Sequence, residues 1–284
     1  MTAARRTVDD GVDLAVVDTG PPPGCPEAPT IVLLHGFGGC KEDFIDQVEW
    51  LAQSHRVIAP DLRGHGGSDR PTRPEAYSLD RLAADVAVLL DTLGVGGFRL
   101  LGHSMGALVA RRIVHLSPDR VQALVFLDAL IGSVPGLDRA TAELGAEVAR
   151  TEGMVVLNAL LDELSPTITP AYRRLLDERP GYRELMDRRA ADQSADMWAS
   201  LIVQLADVPE DRERLAAITC PVLVLVGALD TAFLPGAAAI ASSVPGSEFV
   251  VIPDAGHSPQ LENGPAFDVA LATFLQLVPT DLDR

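Results

Sequence analysis

Short apolar runs alternate with stretches of helical periodicity along most of the chain. Strands are predicted at residues 12–18, 30–34, 56–59, 98–101, 121–127, 221–226 and 248–252. Helices are predicted at residues 41–53, 79–93, 105–116, 235–243 and 266–277. Because the runs are apolar throughout rather than at every second position, their strands are expected to be buried on both faces. The pattern therefore predicts an α/β fold, with a mostly parallel central sheet flanked by helices.

The strand pattern stops between residues 132 and 209. This stretch has helical composition and is broken by prolines at 135, 166, 170 and 180. It predicts a helical cap (lid) inserted into the fold, with the core formed by residues 1–131 and 210–284.

Charge and composition narrow the range of partners. The chain has 284 residues and a formal net charge of −17. Since an acidic protein repels phosphate groups, we expect no nucleic-acid partner and no binding to an anionic membrane. We expect the ligand to be a small-molecule substrate. The three cysteines are widely spaced and predict neither a metal cluster nor a disulfide framework. The polar N-terminus lacks the apolar core of a signal peptide, which favours a cytoplasmic location. We expect a monomer or a homodimer.

One pentapeptide carries the strongest chemical signal. Residues 102–106 read G-H-S-M-G, directly after a predicted strand and directly before a predicted helix. This G-x-S-x-G context predicts a sharp strand-to-helix turn that exposes the Ser104 hydroxyl as a nucleophile.

A serine nucleophile needs a base, and the base needs an acid that orients it. His257 lies in a loop after the last predicted strand, in D-A-G-H-S-P. Asp230 ends V-L-V-L-V-G-A-L-D, between the serine and the histidine in chain order. Asp128, which follows the preceding strand in V-F-L-D-A, is the rival position for the acid.

A tetrahedral intermediate also needs hydrogen-bond donors for its oxyanion. We expect them to be the backbone N–H of Met105, next to the nucleophile, and that of Phe37 in the turn H-G-F-G-G. The chain has neither G-x-G-x-x-G nor a P-loop at this turn, so no nucleotide cofactor is predicted, and no metal or other cofactor either.

Together these motifs resemble the α/β-hydrolase superfamily. The resemblance rests on H-G-F-G-G, D-L-R-G-H-G-G-S-D at 61–69, G-H-S-M-G, G-A-L-D and A-G-H-S-P-Q-L-E. It is closest to the capped branch that holds esterases, lactonases, perhydrolases and carbon–carbon bond hydrolases. It implies a structural role for Asp61, Arg63 and His65. Related epoxide hydrolases and haloalkane dehalogenases use an aspartate nucleophile, and Ser104 argues against both activities.

Substrate choice in such a fold depends on the cap and the loops. Candidate pocket residues are His35, Met154, Leu157, Met186 and Trp198. The cap arginines, at 173, 174, 188 and 189, are expected mainly at the solvated surface, although one could bind a substrate carboxylate.

The sequence thus predicts a serine hydrolase of carboxylic esters or lactones that works through an acyl-enzyme. The alternatives are a carbon–carbon bond hydrolase of ring-cleavage dienoates and a polyketide-tailoring ester or thioester hydrolase. From another class, a non-catalytic ligand-binding receptor on a hydrolase scaffold stays open.

Overall fold

A computed structural model describes residues 4–164 and 169–278. Within them one sheet of eight strands runs in the order β1-β2-β4-β3-β5-β6-β7-β8. The strands are β1 (Ala4–Thr7), β2 (Asp13–Asp18), β3 (Thr30–Leu34), β4 (Arg56–Pro60), β5 (Phe98–His103), β6 (Val121–Leu127), β7 (Val222–Gly227) and β8 (Glu248–Ile252). The pairs β1–β2 and β2–β4 are antiparallel, and all pairs from β4 to β8 are parallel. The predicted mostly parallel sheet is confirmed.

Helices cover both faces of this sheet. They are α1 (Ile45–Leu51), α2 (Leu79–Thr92), α3 (Met105–Leu116), α9 (Arg212–Ala216), α10 (Leu234–Ser243), α11 (Pro259–Glu262) and α12 (Gly264–Leu277). In β3, Val32 and Leu34 belong to the apolar core shared with α2, α3 and α10, whereas Ile31 and Leu33 belong to the core shared with α1 and α12. Alternate side chains thus enter two cores, which is why the central strands are apolar throughout.

The described residues of the segment between β6 and α9 form helices joined by loops. Its helices are α4 (Arg139–Thr151), α5 (Met154–Leu164), α6 (Pro170–Glu178), α7 (Tyr182–Asp192) and α8 (Ala195–Ala206). A third apolar cluster joins α4, α5 and α8, with Trp198 and Leu157 in its centre. The helical composition predicted for this segment is confirmed, while the domain boundaries at 131/132 and 209/210 stay a prediction.

Among the elements that differ from the sequence prediction, two show a clear physical reason. β1 was not predicted, since its sequence A-R-R-T has no apolar pattern; it is an edge strand held by polar contacts of Arg5 with Asp13 and Asp69. The helix predicted at 41–53 begins instead as a 3₁₀ turn, Lys41–Phe44, before α1. None of the described helices is both long enough and apolar enough to cross a bilayer.

Candidate active site

The turn at Ser104 is forced by close packing of backbone. Ser104 has φ 53° and ψ −116°, a left-handed conformation that is strained for a residue with a side chain. A Cβ on Gly102 would lie 2.6 Å from the carbonyl carbon of Gly106, and a Cβ on Gly106 would lie 2.6 Å from the carbonyl oxygen of His35. Glycine is therefore required at both ends of the pentapeptide for β5 and α3 to meet at this angle.

The structure brings the three predicted catalytic side chains together. His257 Nε2 lies 3.0 Å from Ser104 Oγ, and His257 Nδ1 lies 2.6 Å from Asp230 Oδ2. Asp230 follows β7 and is mostly buried, while the half-buried His257 follows β8. With a proton on Nδ1 donated to Asp230, the Nε2 lone pair faces the serine hydroxyl, which is the geometry a general base needs.

The ring of His257 packs against two other rings. The ring centroid of Phe233 lies 4.4 Å away, and that of His103 lies 5.0 Å away. His103 Nε2 lies 2.6 Å from the backbone oxygen of His257, so this histidine supports the loop of the base rather than the nucleophile. Burial lowers the pKa of His103 to about 3, so it is neutral and donates this hydrogen bond.

Met105 and Phe37, whose N–H groups are the predicted oxyanion donors, lie directly after Ser104 and in the neighbouring loop after β3. That these N–H groups donate to an oxyanion stays a prediction. Met105 is the first residue of α3, where backbone N–H groups have no intrahelical acceptor. Phe37 lies in the loop after β3, and a Cβ on the preceding Gly36 would be 3.2 Å from Ser104 Cβ. This loop therefore passes directly beside Ser104. The Phe37 ring is half-buried and lies 5.8 Å from that of Trp198 in the cap.

His35 does not line an accessible pocket, contrary to the sequence prediction. It is fully buried, and its Nε2 accepts from Leu62 N–H at 2.9 Å while its Nδ1 lies 2.8 Å from the Gly36 carbonyl oxygen. Burial holds the pKa of His35 well below its usual value, which leaves one nitrogen to donate and one to accept. Its ring fixes the loop after β3, which carries Phe37, to the turn after β4.

The turn at 61–69 is a buried polar network. Arg63 is completely buried and donates to both Asp85 oxygens at 2.7 Å and to Asp10. Asp61 accepts from Lys41 Nζ at 2.7 Å and from Gly67 N–H at 2.8 Å. These contacts anchor loops beside the site, as the structural role implied for this motif requires.

The remaining predicted pocket residues are divided between two places. Met154, Leu157 and Trp198 are buried in the apolar cluster of the cap, against which Phe37 packs. Met186 lies apart from them, half-buried on α7, with its sulfur 3.5 Å from Arg189. The first three can form an apolar wall above Phe37, whereas Met186 belongs with the polar contacts of α7.

Arg189 is not a surface arginine, although the cap arginines were expected mainly at the surface. Its side chain is only 13% exposed and donates to Asp43 at 2.6 Å and to the Gly38 carbonyl oxygen at 2.9 Å. The sequence contains one sign of this contact: Asp43 is an acidic residue among the apolar positions of residues 41–53, where a buried carboxylate would need a cation. Beside Arg189 lies a cavity of about 240 Å³, bordered by Gly38, His65 and Arg188 among others.

Two groups of potential metal ligands lie close together in the described chain. They are Cys40 with Glu42 and Asp61, and Asp128 with Asp230 and His257. In the first group Lys41 Nζ lies 2.8 Å from Glu42 and 2.7 Å from Asp61, so an ammonium already neutralises these carboxylates. Burial also raises the pKa of the Cys40 thiol, which disfavours the thiolate. The second group contains the acid–base pair itself. That no metal is needed stays a prediction.

A sequence model of the alpha/beta hydrolase fold matches residues 29–264. Among curated proteins, a putative 2-succinyl-6-hydroxy-2,4-cyclohexadiene-1-carboxylate synthase of Bacillus subtilis is 30% identical, over 97% of this chain and 99% of its own length. Epoxide hydrolase A of Mycobacterium tuberculosis is 42% identical, but over only 48% of this chain and 40% of its own length.

Solved structures resemble the whole chain. A thermophilic esterase from Thermogutta terrifontis is 29% identical with a TM-score of 0.84, covering 98% of this chain and 99% of its own. An enol-lactonase from Burkholderia xenovorans LB400 is 26% identical with a TM-score of 0.82, covering 96% of this chain and 100% of its own.

Proposed function

The chain belongs to the α/β-hydrolase fold family, and we propose that it hydrolyses carboxylic esters or lactones through an acyl-enzyme formed on Ser104. One observation carries the proposal: the hydrogen-bonded series from Asp230 through His257 to Ser104, which ends on a strained turn beside the oxyanion loop. A serine hydroxyl with a base on one side and backbone donors on the other is suited to acyl transfer.

In the proposed reaction, Ser104 Oγ attacks the carbonyl carbon while His257 Nε2 takes its proton. Asp230 stabilises the imidazolium that forms, and the N–H groups of Met105 and Phe37 donate to the oxyanion. His257 then gives the proton to the departing alkoxide, leaving the acyl group on Ser104. Water, deprotonated by the same histidine, attacks the acyl-enzyme; the imidazolium then returns this proton to Ser104 Oγ as the acyl–oxygen bond breaks and the acid is released.

The residues support an ester or lactone rather than an epoxide as substrate. The aspartate nucleophile implied for epoxide hydrolases is replaced here by Ser104. The full-length similarity to an esterase and an enol-lactonase supports the same choice. Met154, Leu157 and Trp198 would offer apolar contacts to an acyl group of moderate size.

The experiment is a hydrolysis screen on purified protein without added metal or nucleotide. Its substrates are short p-nitrophenyl esters, lactones and a ring-cleavage dienoate. Esters or lactones should turn over, and Ser104→Ala should lose at least about a thousandfold in kcat. Asp230→Asn should lose on the order of 10⁴ in kcat, by analogy with serine proteases, in which the corresponding substitution in the Ser-His-Asp triad has an effect of this size.

Labelling with a fluorophosphonate probe separates the remaining outcomes. The unaltered protein should be labelled, and Ser104→Ala should not. Rapid turnover of the dienoate with no turnover of esters or lactones would assign carbon–carbon bond hydrolysis instead. If neither labelling nor turnover occurs, a ligand-binding role replaces the enzymatic one.

A further inference from the structure

We propose that Asp128 is a positioning residue that keeps a proton between its own carboxyl group and that of Asp230, and so holds Asp230 in place toward His257. The inference deepens the proposed function and rests on it for its kinetic part.

The backbone fixes Asp128 against the strand that carries Asp230. Asp128 directly follows β6, with φ 42°, and its N–H donates to the Leu225 carbonyl oxygen at 2.9 Å. Its Oδ1 accepts from Gly227 N–H at 3.1 Å. Leu225 and Gly227 both belong to β7, and Asp230 N–H in turn donates to the Gly227 carbonyl oxygen at 3.1 Å. The carboxyl groups of Asp128 and Asp230 are therefore both held at the C-terminal end of β7.

One oxygen of Asp128 has no partner among the described residues. The side chain is completely buried, and Oδ2 makes no hydrogen bond there. Asp128, Asp230 and His257 each offer a polar atom that lies within 4.8 Å of those of the other two. A buried carboxylate with a single N–H donor would be costly, whereas a protonated Oδ2 facing Asp230 supplies the missing hydrogen bond.

The charges around Asp128 favour the neutral acid. Asp230 in the loop after β7 and Glu262 on α11 are both acidic, and His257 comes from the loop after β8. No described arginine or lysine forms an ion pair with Asp128. Burial first, and then the neighbouring carboxylates, raise the pKa of Asp128 well above its ordinary value. The pair thus shares one negative charge.

The shared proton has two consequences for the triad. Asp230 accepts from Asp128 as well as from His257 Nδ1, so its rotation is restricted and it stays aimed at the imidazole. The hydrogen bond also withdraws charge from Asp230, which moderates how strongly it stabilises the imidazolium.

A matched pair of variants tests this. Asp128→Ala removes the donor, and kcat for an ester should fall about 10- to 100-fold, the effect of one hydrogen bond to a charged group. The acid limb of its pH–rate profile should move to higher pH, because without the donor Asp230 directs more of its negative charge at the imidazolium. Asp128→Asn keeps a neutral N–H donor and should recover most of that loss, with the acid limb at its original position. If Asp128 is ionised instead, Asp128→Asn removes a negative charge, and the limb moves to lower pH.

A readout without turnover separates this inference from the proposed function. An infrared spectrum at pH 8 should contain the C=O band of a protonated carboxylic acid. The band should persist in catalytically inactive Ser104→Ala and disappear in Asp128→Asn. Its absence from the unaltered protein would overturn the inference, even where ester hydrolysis is observed. Its presence would support the shared proton even if the substrate proves to be something else.

Discussion

At the nucleophile, backbone contacts decide which residues the chain can accept. A Cβ on Gly106 would overlap the Leu34 carbonyl oxygen and lie 2.6 Å from that of His35. Both oxygens belong to the end of β3 and the loop that follows it, so relief of the overlap would move the loop that carries Phe37. Gly96 is a useful contrast, because a Cβ there would meet nothing within 4 Å and its φ is not left-handed.

This contrast gives a prediction for two Gly→Ala substitutions. Gly106→Ala should lower the free energy of unfolding by at least about 2 kcal/mol, the cost of overpacking against backbone that cannot shift freely. Gly96→Ala should change it by no more than about 0.5 kcal/mol. Urea unfolding measures both, and fluorophosphonate labelling of Ser104 should be slowed only in Gly106→Ala. Equal stabilities for the two variants would mean that the turn relaxes without cost.

Residues of the site differ in how far sequence alone can place them. Ser104, Asp230 and His257 have spacings relative to strands and helices that bring them to one edge of a parallel sheet. His35 has the same local signal as a pocket residue, and only its contacts with Leu62 and Gly36 show that it faces inward. Side-chain direction in a loop depends on distant packing, which the sequence pattern does not encode.

At the scale of elements, a polar contact joins the cap to the loop that carries Phe37, in addition to the packing of Phe37 against Trp198. Arg189 on α7 donates twice to the Gly38 carbonyl oxygen, at 2.9 Å and 3.2 Å, next to Phe37. It also pairs with Asp43, whose pKa is raised by burial although Arg189 opposes that rise. The arginine therefore compensates a buried carboxylate and restrains the loop.

We predict that Arg189→Met lowers the free energy of unfolding by about 3 kcal/mol, because Asp43 is left buried without its cation. The value of kcat/KM for an ester should also fall, by about tenfold, since the Phe37 loop loses its restraint. Arg188→Met is the matched control, on the same helix but exposed, and should change stability by less than about 0.5 kcal/mol.

A second substitution separates the two roles of Arg189. Asp43→Asn in the Arg189→Met background removes the uncompensated charge and should restore part of the stability. It should leave kcat/KM low, because Gly38 still lacks its donor. If Arg189→Met behaves like Arg188→Met in both measurements, this contact neither stabilises the protein nor positions the loop.

Elements with an apolar run or a distinct flanking motif were the easiest to predict. β6 (Val121–Leu127) coincides with its predicted bounds because nearly all its residues are apolar, and α3 (Met105–Leu116) does so because the G-H-S-M-G turn marks where it begins. β1 has one neighbour strand and alternating exposure, so its sequence contains no run of apolar residues. Its pairing depends on Arg5 and on β2, which are tertiary contacts beyond any local pattern.

At the scale of the whole molecule, several histidines are buried as neutral rings. Burial lowers the pKa of His55 and of His65 to about 4 each, that of His103 to about 3, and that of His35 well below its usual value. His55 shows the reason clearly, because its Nε2 accepts a hydrogen bond from the Arg99 guanidinium at 2.8 Å. Protonation of Nε2 would place two N–H donors, and two positive charges, against each other.

These pKa shifts have a definite sign for stability. The unfolded chain binds a proton at each histidine near its ordinary pKa of about 6.5, whereas the folded protein does so only near pH 4 or below. The histidine contribution is thus fully present above pH 6.5 and is lost as the pH falls towards 4. The raised pKa of Asp128 acts in the opposite direction, because the folded protein binds that proton more readily than the unfolded chain.

Substitution of one histidine isolates its part of this acid sensitivity. His55→Gln keeps a hydrogen-bond acceptor for Arg99 but binds no proton in either state. The decline in unfolding free energy of the unaltered protein between pH 6 and 5 should be steeper than that of His55→Gln by up to about 1.4 kcal/mol per pH unit. The comparison cancels the contribution of Asp128 and the other histidines, which both proteins retain. Urea unfolding at pH 7.5, 6, 5.5 and 5 measures the slopes, and parallel slopes would show that His55 is protonated in the folded protein as readily as in the unfolded chain.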